Sequence, residues 1–494
     1  MQQRFSLTIL FLASVVGLPS LATAQVLMRS GYITFPTPNS VVVADFNHDG
    51  ATDFAISSYS SNGGGPGIEV FLGNGDGTFK SPIKYVVTNG AGPLAVGDLN
   101  HDGKPDLVAS SFGSNAVVVL LGNGDGTFQA PVTYGTPDDP GPVVLGDFNN
   151  DGNLDIATGS QTNINPSVAV LLGNGDGTFQ EPAIVTYPPY SLPEAFATGN
   201  FNGDKNLDLA VTLGFISSDT VQILTGNGDG TFSLGASYTL DPFSVAVVAA
   251  DLRNNGKTDL AVAQDEGGSL AVLLGNGDGT FEEPVEYDVG NSLAPGFPAT
   301  VAVGDMNGDG HPDLVSVPHI IANNSNYSAV YIFPGKGDGT FSSPEISYPA
   351  ASNSSPQGLA LADFNGDHQI DLTFADEFGT RSGVSEYVLL NTGTVKFSPF
   401  SVLSFNNQKH GTTSPPQTVT LTNQGKANLT ISSIKVTGQF GATSTCGKTV
   451  ARKASCTISV TFSPKSAGVF SGTVQINDSA STKPQAISLS GKGY

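Results

Sequence analysis

The feature that most constrains this chain is a nine-residue acidic segment that recurs seven times, about every fifty residues. A second segment of the form LGNGDGTF alternates with it, decaying to LNTGTVKF in the last unit. A period of this length with two turn segments per unit is typical of a four-stranded propeller blade. The seven copies are DFNHDGATD at 45–53, DLNHDGKPD at 98–106, DFNNDGNLD at 147–155, NFNGDKNLD at 200–208, DLRNNGKTD at 251–259, DMNGDGHPD at 305–313 and DFNGDHQID at 363–371.

One repeat unit shows how the strands are arranged. Apolar runs flank the acidic segment of the second unit, and a third run, 116–121, is apolar throughout, as in a strand buried on both faces. Asn, Asp and Gly in the following turn tolerate the positive φ that hairpin turns require, and Pro131 suits an edge strand. We therefore predict strands at 94–98, 107–110, 116–121 and 128–134.

The fold class predicted from these units is all-β, with a seven-bladed β-propeller over 25–399 followed by an Ig-like β-sandwich over 400–494. Closing the ring removes most exposed sheet edges. The segment RSGYITFP at 29–36 resembles the outer-strand segment SPEISYPA at 343–350, so we expect it to complete the seventh blade. The alternative is that 397–405 does so, but that segment also resembles the start of the next domain.

The N-terminal 24 residues have the pattern of a signal peptide. Arg4 supplies the positive charge, 5–18 is mostly apolar, and Ala22-Thr23-Ala24 is a small-x-small cleavage site. We expect a secreted or cell-surface protein, with the periplasm as an alternative. No later stretch is long and apolar enough to predict a transmembrane segment. The net charge of −23, from 43 acidic and 20 basic residues, disfavours nucleic-acid binding.

The acidic segments have the donor spacing of a calcium loop. The pattern D-x-N-x-D-G-x-x-D places side-chain oxygens at positions 1, 3, 5 and 9, and position 7 can add a backbone carbonyl. Gly at position 6 permits a left-handed turn that brings position 9 back. Ca²⁺ accepts six to eight such oxygens, whereas Mg²⁺ prefers water and octahedral geometry. Position 12 is never the Glu of an EF-hand. The competing interpretation is an Asp- and Asn-rich turn without an ion.

The seven loops differ in their expected affinity. Loops 1, 2, 3 and 6 are complete, while loops 4 and 7, with Lys205 and His368 at position 6, should bind more weakly. Loop 5 has Arg253 at position 3, so we expect it to be empty, with Arg253 pairing with Asp251 and Asp259. Up to six Ca²⁺ ions are predicted. The predicted ligands are Asp45, Asn47, Asp49, Asp53, Asp98, Asn100, Asp102, Asp106, Asp147, Asn149, Asp151, Asp155, Asn200, Asn202, Asp204, Asp208, Asp305, Asn307, Asp309, Asp313, Asp363, Asn365, Asp367 and Asp371.

The acidic loops, apolar run and Gly-rich turn together resemble the FG-GAP and VCBS repeats of integrin α-subunit propellers and of many bacterial secreted proteins. The resemblance covers about 29–400 and implies a seven-bladed propeller with Ca²⁺ loops between the first two strands of blades. Related mushroom lectins bind sugars between blades, and integrins bind proteins on one face. The family therefore implies recognition or adhesion more than catalysis.

The Gly-rich turn itself has a second possible interpretation, as a further cation or phosphate loop. It lacks the Lys and the following helix of a phosphate loop. Its acidic residues are more simply explained as turn formers. They are Asp76, Asp125, Asp176, Asp229, Asp278 and Asp338.

The segment 400–494 is richer in Ser, Thr and Lys and has short alternating strands such as 418–422 and 457–462. Its two cysteines, Cys446 and Cys456, are the only ones in the chain, and export favours a disulfide between them. The runs TVTLTN, VTFSPKSAGVFSG and SLSG resemble the abnormal-spindle/hydin type of Ig-like domain, which carries paired cysteines at these positions. The resemblance implies a spacer, anchor or interaction module.

No set of residues in the sequence forms a recognisable catalytic constellation. Four of the six histidines lie inside acidic loops, and neither HExxH nor GxSxG occurs. We therefore expect a non-enzymatic module that recognises glycans or proteins at the cell surface. The alternatives are a polysaccharide hydrolase or lyase, since paired carboxylates are common in the loops, and a purely structural surface protein.

Overall fold

We analysed a computed structural model of the full chain. The signal peptide expected at 1–24 lies outside the described residues. Within them, no helix is long and apolar enough to span a membrane. The structure describes residues 27–32, 37–59, 67–188, 190–214, 219–265, 268–291, 294–322, 325–352, 356–376, 386–391, 395–398, 403–423, 428–479 and 485–494.

Blades 1 to 5 are each one antiparallel four-stranded sheet whose strands follow chain order from innermost to outer. The strands predicted for blade 2 are confirmed, although its outer strand is shortened to the residues after Pro131. The bounds are, for blade 1, Pro38–Ala44, Asp53–Ser58, Ile68–Phe71 and Ile83–Tyr85; for blade 2, Leu94–Gly97, Asp106–Ser111, Ala116–Leu120 and Val132–Gly135; for blade 3, Pro140–Gly146, Asp155–Ser160, Ser167–Leu171 and Ala183–Thr186; for blade 4, Leu192–Gly199, Asp208–Gly214, Asp219–Gly226 and Phe232–Leu240; for blade 5, Ser244–Ala250, Asp259–Gln264, Ser269–Leu273 and Val285–Asp288.

Blade 6 is larger, because three additional strands extend its sheet to seven strands. The strand Ser325–Phe333, which corresponds to the third strand of the other blades, is long enough to pair with two successive strands, Asp313–Ser316 and Pro318–Ala322. Nothing in the repeat pattern indicates this extension. The strands are Gly290–Asn291, Ala294–Pro298, Ala302–Gly304, Asp313–Ser316, Pro318–Ala322, Ser325–Phe333 and Glu345–Ser352.

Blade 7 is completed by the N-terminal strand. Leu27–Tyr32 pairs antiparallel with Glu386–Asn391, outside Asp371–Asp376 and Pro356–Ala362. The preferred prediction for closure is therefore confirmed. The alternative is wrong, because the segments around 397–405 belong to the C-terminal sandwich. Pairing the two ends of the repeat array in one sheet covers an edge that would otherwise stay unpaired.

Burial within a blade follows strand order. The second and third strands of blade 2, Asp106–Ser111 and Ala116–Leu120, are buried at every position, because neighbouring blades cover both of their faces. The outer strand is mostly exposed, and Val132 is half exposed. One 3₁₀ turn, Phe112–Ser114, follows the second strand of this blade.

The C-terminal domain consists of two sheets, as an Ig-like sandwich requires. Burial alternates along Ser455–Phe462, and its inward-facing residues meet the other sheet. Its first strand begins at residue 395, slightly before the boundary expected at 400. Cys446 and Cys456 form the predicted disulfide. The sheets contain Val395–Ser398, Gln417–Asn423, Ser455–Phe462 and Phe440–Ser444, and Leu403–Gln408, Gln485–Gly493, Gly468–Asp478, Leu429–Val436 and Thr449–Val450.

Candidate metal-binding loops

All seven acidic loops connect the innermost strand of a blade to its second strand. Loop 1, for example, follows Pro38–Ala44, and its position-9 residue, Asp53, is the first residue of the second strand. The Gly-rich turns connect the third and outer strands and therefore lie at the same end of the blades. We call this side of the propeller the loop face.

In loop 1 the predicted ligands at positions 1, 3 and 5 accept hydrogen bonds from the backbone of the loop itself. Asp45 accepts from the N–H groups of Asp49 at 3.2 Å and Gly50 at 2.9 Å. Asn47 Oδ1 accepts from Asp49 N at 2.9 Å, and Asp49 Oδ1 accepts from Ala51 N at 2.9 Å. Loops 2 and 3 repeat this arrangement. The side chains therefore wrap around one short turn of backbone.

The position-9 aspartate has a structural role that the sequence analysis missed. Asp53 is fully buried, and its two oxygens accept from Phe46 N at 2.9 Å and from Gly73 N at 2.7 Å. The first donor belongs to the acidic loop and the second to the Gly-rich turn, so Asp53 joins the two turns of its blade. Each of the other blades has the same pair of bonds, at Asp106, Asp155, Asp208, Asp259, Asp313 and Asp371.

Burial raises the pKa of several position-9 carboxyls. The pKa rises to about 6 for Asp53, Asp155 and Asp313, and well above the usual value for Asp371. Loss of hydration is the main cause; the two backbone N–H bonds oppose it, and the carboxylates at positions 1 and 5 of the same loop add to it. Negative charge is therefore concentrated around the position-9 carboxyl of each of these loops. In loop 1 a cationic side chain lies only at the loop's edge, where Lys80 Nζ is 4.0 Å from Asp49.

Two positions adopt left-handed backbone in six of the seven loops. Position 6 does so at Gly50, with φ of 82°, as the sequence predicts, and position 4 does so as well, at His48 with φ of 55°. Loop 4 departs from the prediction: Gly203 at position 4 has φ of 74°, but Lys205 at position 6 is not left-handed. His368 at position 6 of loop 7 does adopt φ of 67°, which is unfavourable for a side chain with a Cβ.

Loop 5 has a positively charged side chain where the other loops have Asn. The guanidinium of Arg253 lies 2.5 Å from Asp259 Oδ1 and 3.2 Å from Oδ2, and it also donates to the Gly275 carbonyl at 2.6 Å. Asp251 instead accepts from backbone N–H groups, including that of Arg253 itself at 3.3 Å. The prediction that Arg253 pairs with Asp259 is confirmed, and the pairing of its guanidinium with Asp251 is not observed.

Carboxylates alone do not form a closed cage in these loops. In the described part of the chain, no three Asp, Glu, His or Cys side chains are grouped closely enough to hold a metal ion. A metal would need Asn oxygens and backbone carbonyls as well, which is the donor chemistry that Ca²⁺ accepts. The 24 predicted ligands and the bound calcium therefore stay predictions.

The Gly-rich turns are held by their acidic residue. Asp76 Oδ1 accepts from the N–H of Thr78 at 3.0 Å and from its hydroxyl at 2.5 Å. The same bonds occur in the next five turns. The interpretation of these six aspartates as turn formers agrees with this geometry.

The Gly-rich turns also link neighbouring blades. Gly126 N of blade 2 donates to the Phe46 carbonyl of blade 1 at 3.1 Å, and Gly77 N of blade 1 donates to the Phe364 carbonyl of blade 7. Equivalent bonds connect blades 2 to 3, 3 to 4 and 4 to 5. In blade 7, where the turn motif has decayed, Asn391 Nδ2 donates to the Met306 carbonyl at 2.8 Å instead. The loop face is thus a chain of hydrogen bonds between blades.

Both parts of the chain match known protein families. FG-GAP-like repeats match at 45–109, 98–158, 200–262, 251–316 and 319–374, which together are more than half of the chain. The domain described as Abnormal spindle-like microcephaly-assoc'd, ASPM-SPD-2-Hydin matches at 394–486. No curated protein matches.

Several solved structures are similar in fold. The Pseudomonas aeruginosa periplasmic gluconolactonase PpgL has 15% identity and a TM-score of 0.46, covering 72% of this chain and 97% of its own. The V. cholerae biofilm matrix protein Bap1 has 12% identity and a TM-score of 0.36, covering 74% and 91%. The ASH/PapD-like domain of human CEP192 has 13% identity and a TM-score of 0.17, covering 20% and 85%. With its repeats matched over most of the propeller, this chain belongs to the FG-GAP-like repeat family and carries a C-terminal ASPM-SPD-2-Hydin domain.

Proposed function

We propose that this protein is an exported, calcium-binding propeller that recognises glycans or proteins at the cell surface. The observation that carries the calcium assignment is Arg253. Loop 5 has no side-chain oxygen at position 3 and an amide in place of the carboxylate at position 5, and it is the loop in which a cationic side chain lies against the position-9 carboxylate. A built-in positive charge in the incomplete loop is expected if the complete loops obtain theirs from solution.

The donor chemistry of the complete loops supports the same proposal. Each has carboxylate oxygens at positions 1, 5 and 9 and an amide oxygen at position 3, all within a nine-residue turn. A bound Ca²⁺ would offset the repulsion that these carboxylates exert on Asp53, Asp155 and Asp313. To bind it, the side chains at positions 1 and 5 must redirect some oxygen lone pairs from the loop's N–H groups to the ion.

The proposed role of calcium is to stabilise the scaffold rather than to contact the ligand. The position-9 carboxylates are buried and hold the turns of each blade together. Binding at these loops would therefore stiffen the loop face and leave other surfaces available for recognition. Recognition by a rigid, preorganised surface loses less conformational entropy on binding.

The recognition function can be tested with the full chain on an immobilised glycan array and on intact bacterial cells. We expect selective binding to a subset of glycans or to cells in Ca²⁺, with a marked loss in EDTA that is reversed when Ca²⁺ is restored. Absence of binding in both conditions would contradict the recognition function. Release of new reducing ends from bound polysaccharide would instead favour the hydrolase alternative.

A further inference from the structure

A cavity of about 470 Å³ lies on the axis of the propeller. Residues of all seven blades line it, and most of them come from the beginning of an innermost strand or from the residues just before it. Tyr59, Gln161 and Asp265 directly follow second strands, at the same end of the blades. The acidic loops follow the other ends of these strands, so this central cavity opens away from the loop face. Its volume is within the range of about 300–1,000 Å³ that is typical of small-molecule sites.

A repeated backbone irregularity presents side chains to this cavity. In blades 1, 3, 4, 5 and 7 the pairing of the innermost and second strands shifts register near the start of the innermost strand. Such bulges leave a residue unpaired and redirect its side chain, and they are common next to binding sites. The residues between the shifted pairs all line the cavity; they are Asn39, Gly141, Pro142, Glu194, Val245 and Gln357.

The residues at these bulges differ from blade to blade, unlike the position-9 aspartate, which is the same in all seven. The bulge therefore recurs in five blades while its side chain varies, which leaves that side chain free to serve another purpose. One of these side chains also has an unused acceptor: Asn39 Oδ1 is buried and has no hydrogen-bond partner in the structure. A buried acceptor without a partner is unusual and is expected to have a donor in the functional state.

Glu194 is the charged bulge residue, and it is oriented by the neighbouring blade. Its Oε2 accepts from Gln161 Nε2 at 3.0 Å, and its Oε1 faces the backbone of Gly214. Asp265 and His319 also line the cavity, but none of the described lining residues is Lys or Arg. The lining thus combines carboxylate and amide acceptors with amide donors, and it lacks a fixed cation that would attract an anionic ligand.

We propose that the central cavity binds one neutral sugar unit, held through its hydroxyl groups by Asn39, Glu194 and neighbouring amides. Adjacent hydroxyls both donate and accept, which matches carboxylates alternating with amides. Apolar lining from Phe196 and Pro142 offers a surface for the C–H face of a sugar ring. Uronates and phosphates are disfavoured, because they would lie near Glu194 and Asp265 without a lysine or arginine to offset the repulsion. This assignment deepens the proposed recognition function and depends on it for its biological role.

The test uses the full chain in saturating Ca²⁺, titrated calorimetrically with a panel of methyl glycosides. The panel contains the methyl glycosides of glucose, galactose and mannose, with glucuronate, galacturonate and mannuronate as their anionic counterparts. We expect at least one neutral glycoside to bind, and its uronate counterpart to bind about tenfold more weakly. Glu194→Gln and Asn39→Ala should each weaken binding of that glycoside by about tenfold.

The control is Glu181→Gln, which removes an exposed carboxylate outside the cavity and should leave affinity unchanged. Thermal unfolding of each variant establishes that it folds, and Asn39→Ser replaces Asn39→Ala if the alanine variant does not. The proposal is overturned if no neutral glycoside binds, if the uronate counterpart binds as tightly as the neutral glycoside, or if both cavity variants bind like the wild type. Array binding that survives both cavity substitutions would retain the recognition function and reject this site.

Discussion

Loops 1 and 5 have the same length, connect the corresponding strands of their blades and each end in a buried aspartate, yet the two loops differ in charge. In loop 1, Asp53 is surrounded by carboxylates and amides, and its pKa is raised to about 6, mainly because burial removes its hydration. In loop 5, Arg253 contacts the equivalent Asp259. Both aspartates nevertheless accept the same two backbone N–H groups. The comparison separates two properties of the repeat. The position-9 aspartate fixes the backbone of the loop through two hydrogen bonds, and a separate positive charge neutralises the carboxylate.

The hydrogen bonds occur in all seven blades, so the shape of the loop depends on the aspartate and not on the source of the charge. The charge has two sources in our proposal, a solvent cation in the complete loops and Arg253 in loop 5. Buried charges are tolerated when a partner of opposite charge is close. Variants that exchange the two sources therefore test the comparison directly.

The largest expected effect is that of removing calcium. A ligand at one hundred times its dissociation constant stabilises a folded protein by about 2.7 kcal/mol per site, and up to six sites are predicted. EDTA should therefore lower the melting temperature substantially, as measured by calorimetry, and Ca²⁺ should restore it better than Mg²⁺. A melting temperature that is the same in EDTA and in Ca²⁺ would reject the metal assignment for all loops.

The next largest effect should come from removing the built-in cation. Arg253→Met leaves Asp259 buried without its charged partner, which typically costs about 3–5 kcal/mol. Unlike the previous effect, this loss should persist in EDTA, because loop 5 does not depend on calcium. Arg452→Met, which removes an exposed arginine from the C-terminal domain, is the matched control and should change stability by less than about 0.5 kcal/mol. An equally small change at Arg253 would contradict the role of this ion pair.

Loop 5 can also be converted to the ligand set of the complete loops. The double substitution Arg253→Asn and Asn255→Asp recreates the D-x-N-x-D-G-x-x-D pattern. We expect native mass spectrometry to show one more Ca²⁺ than in the wild type. Most of the stability lost with Arg253 should return in Ca²⁺ but not in EDTA. An unchanged ion count would mean that positions 3 and 5 do not determine binding.

The sequence predicts the blade architecture well because the repeat encodes it locally. Alternating apolar runs and turn residues define the strands, and the outer-strand character of the N-terminal segment identifies how the ring closes. The position-9 bonds could not be predicted, because Asp53 and Gly73 lie in different turns that only the folded blade brings together. The bulges facing the axis were missed for a similar reason: the register shift depends on the partner strand.

Asn391 is another residue whose role depends on a neighbouring blade. Its side chain replaces the backbone N–H that a Gly-rich turn supplies elsewhere on the loop face. Asn391→Ala leaves the buried Met306 carbonyl without this donor, so we expect a loss of about 1–3 kcal/mol in chemical denaturation. Asn74→Ala removes an exposed turn amide and should cost less than about 0.5 kcal/mol. Equal losses for the two variants would contradict the interblade role of Asn391.

The smallest expected effect concerns Glu194 in the central cavity. Neither a metal ion nor an arginine of the described cavity lining neutralises this carboxyl. Burial, and secondarily the charge of Asp219, raise the pKa of Glu194 from 4.5 to about 7. The folded state therefore holds this proton more tightly than the unfolded chain does. The resulting stability is complete below pH 4.5 and is lost as the pH rises through 7. Because Glu194 is partly exposed, we expect this loss to be about 1 kcal/mol.

Glu194→Gln removes that pH dependence. Relative to the wild type, the variant should gain stability between pH 5 and pH 8, because only the wild type must ionise a partly buried carboxyl over this interval. The difference in melting temperature between the two proteins, measured at both pH values in saturating Ca²⁺, isolates this effect from any change at the acidic loops. A difference that stays constant with pH would show that Glu194 ionises at the same pH in the folded and unfolded chains. The contrast between a neutralised loop face and an uncompensated cavity carboxyl would then not hold.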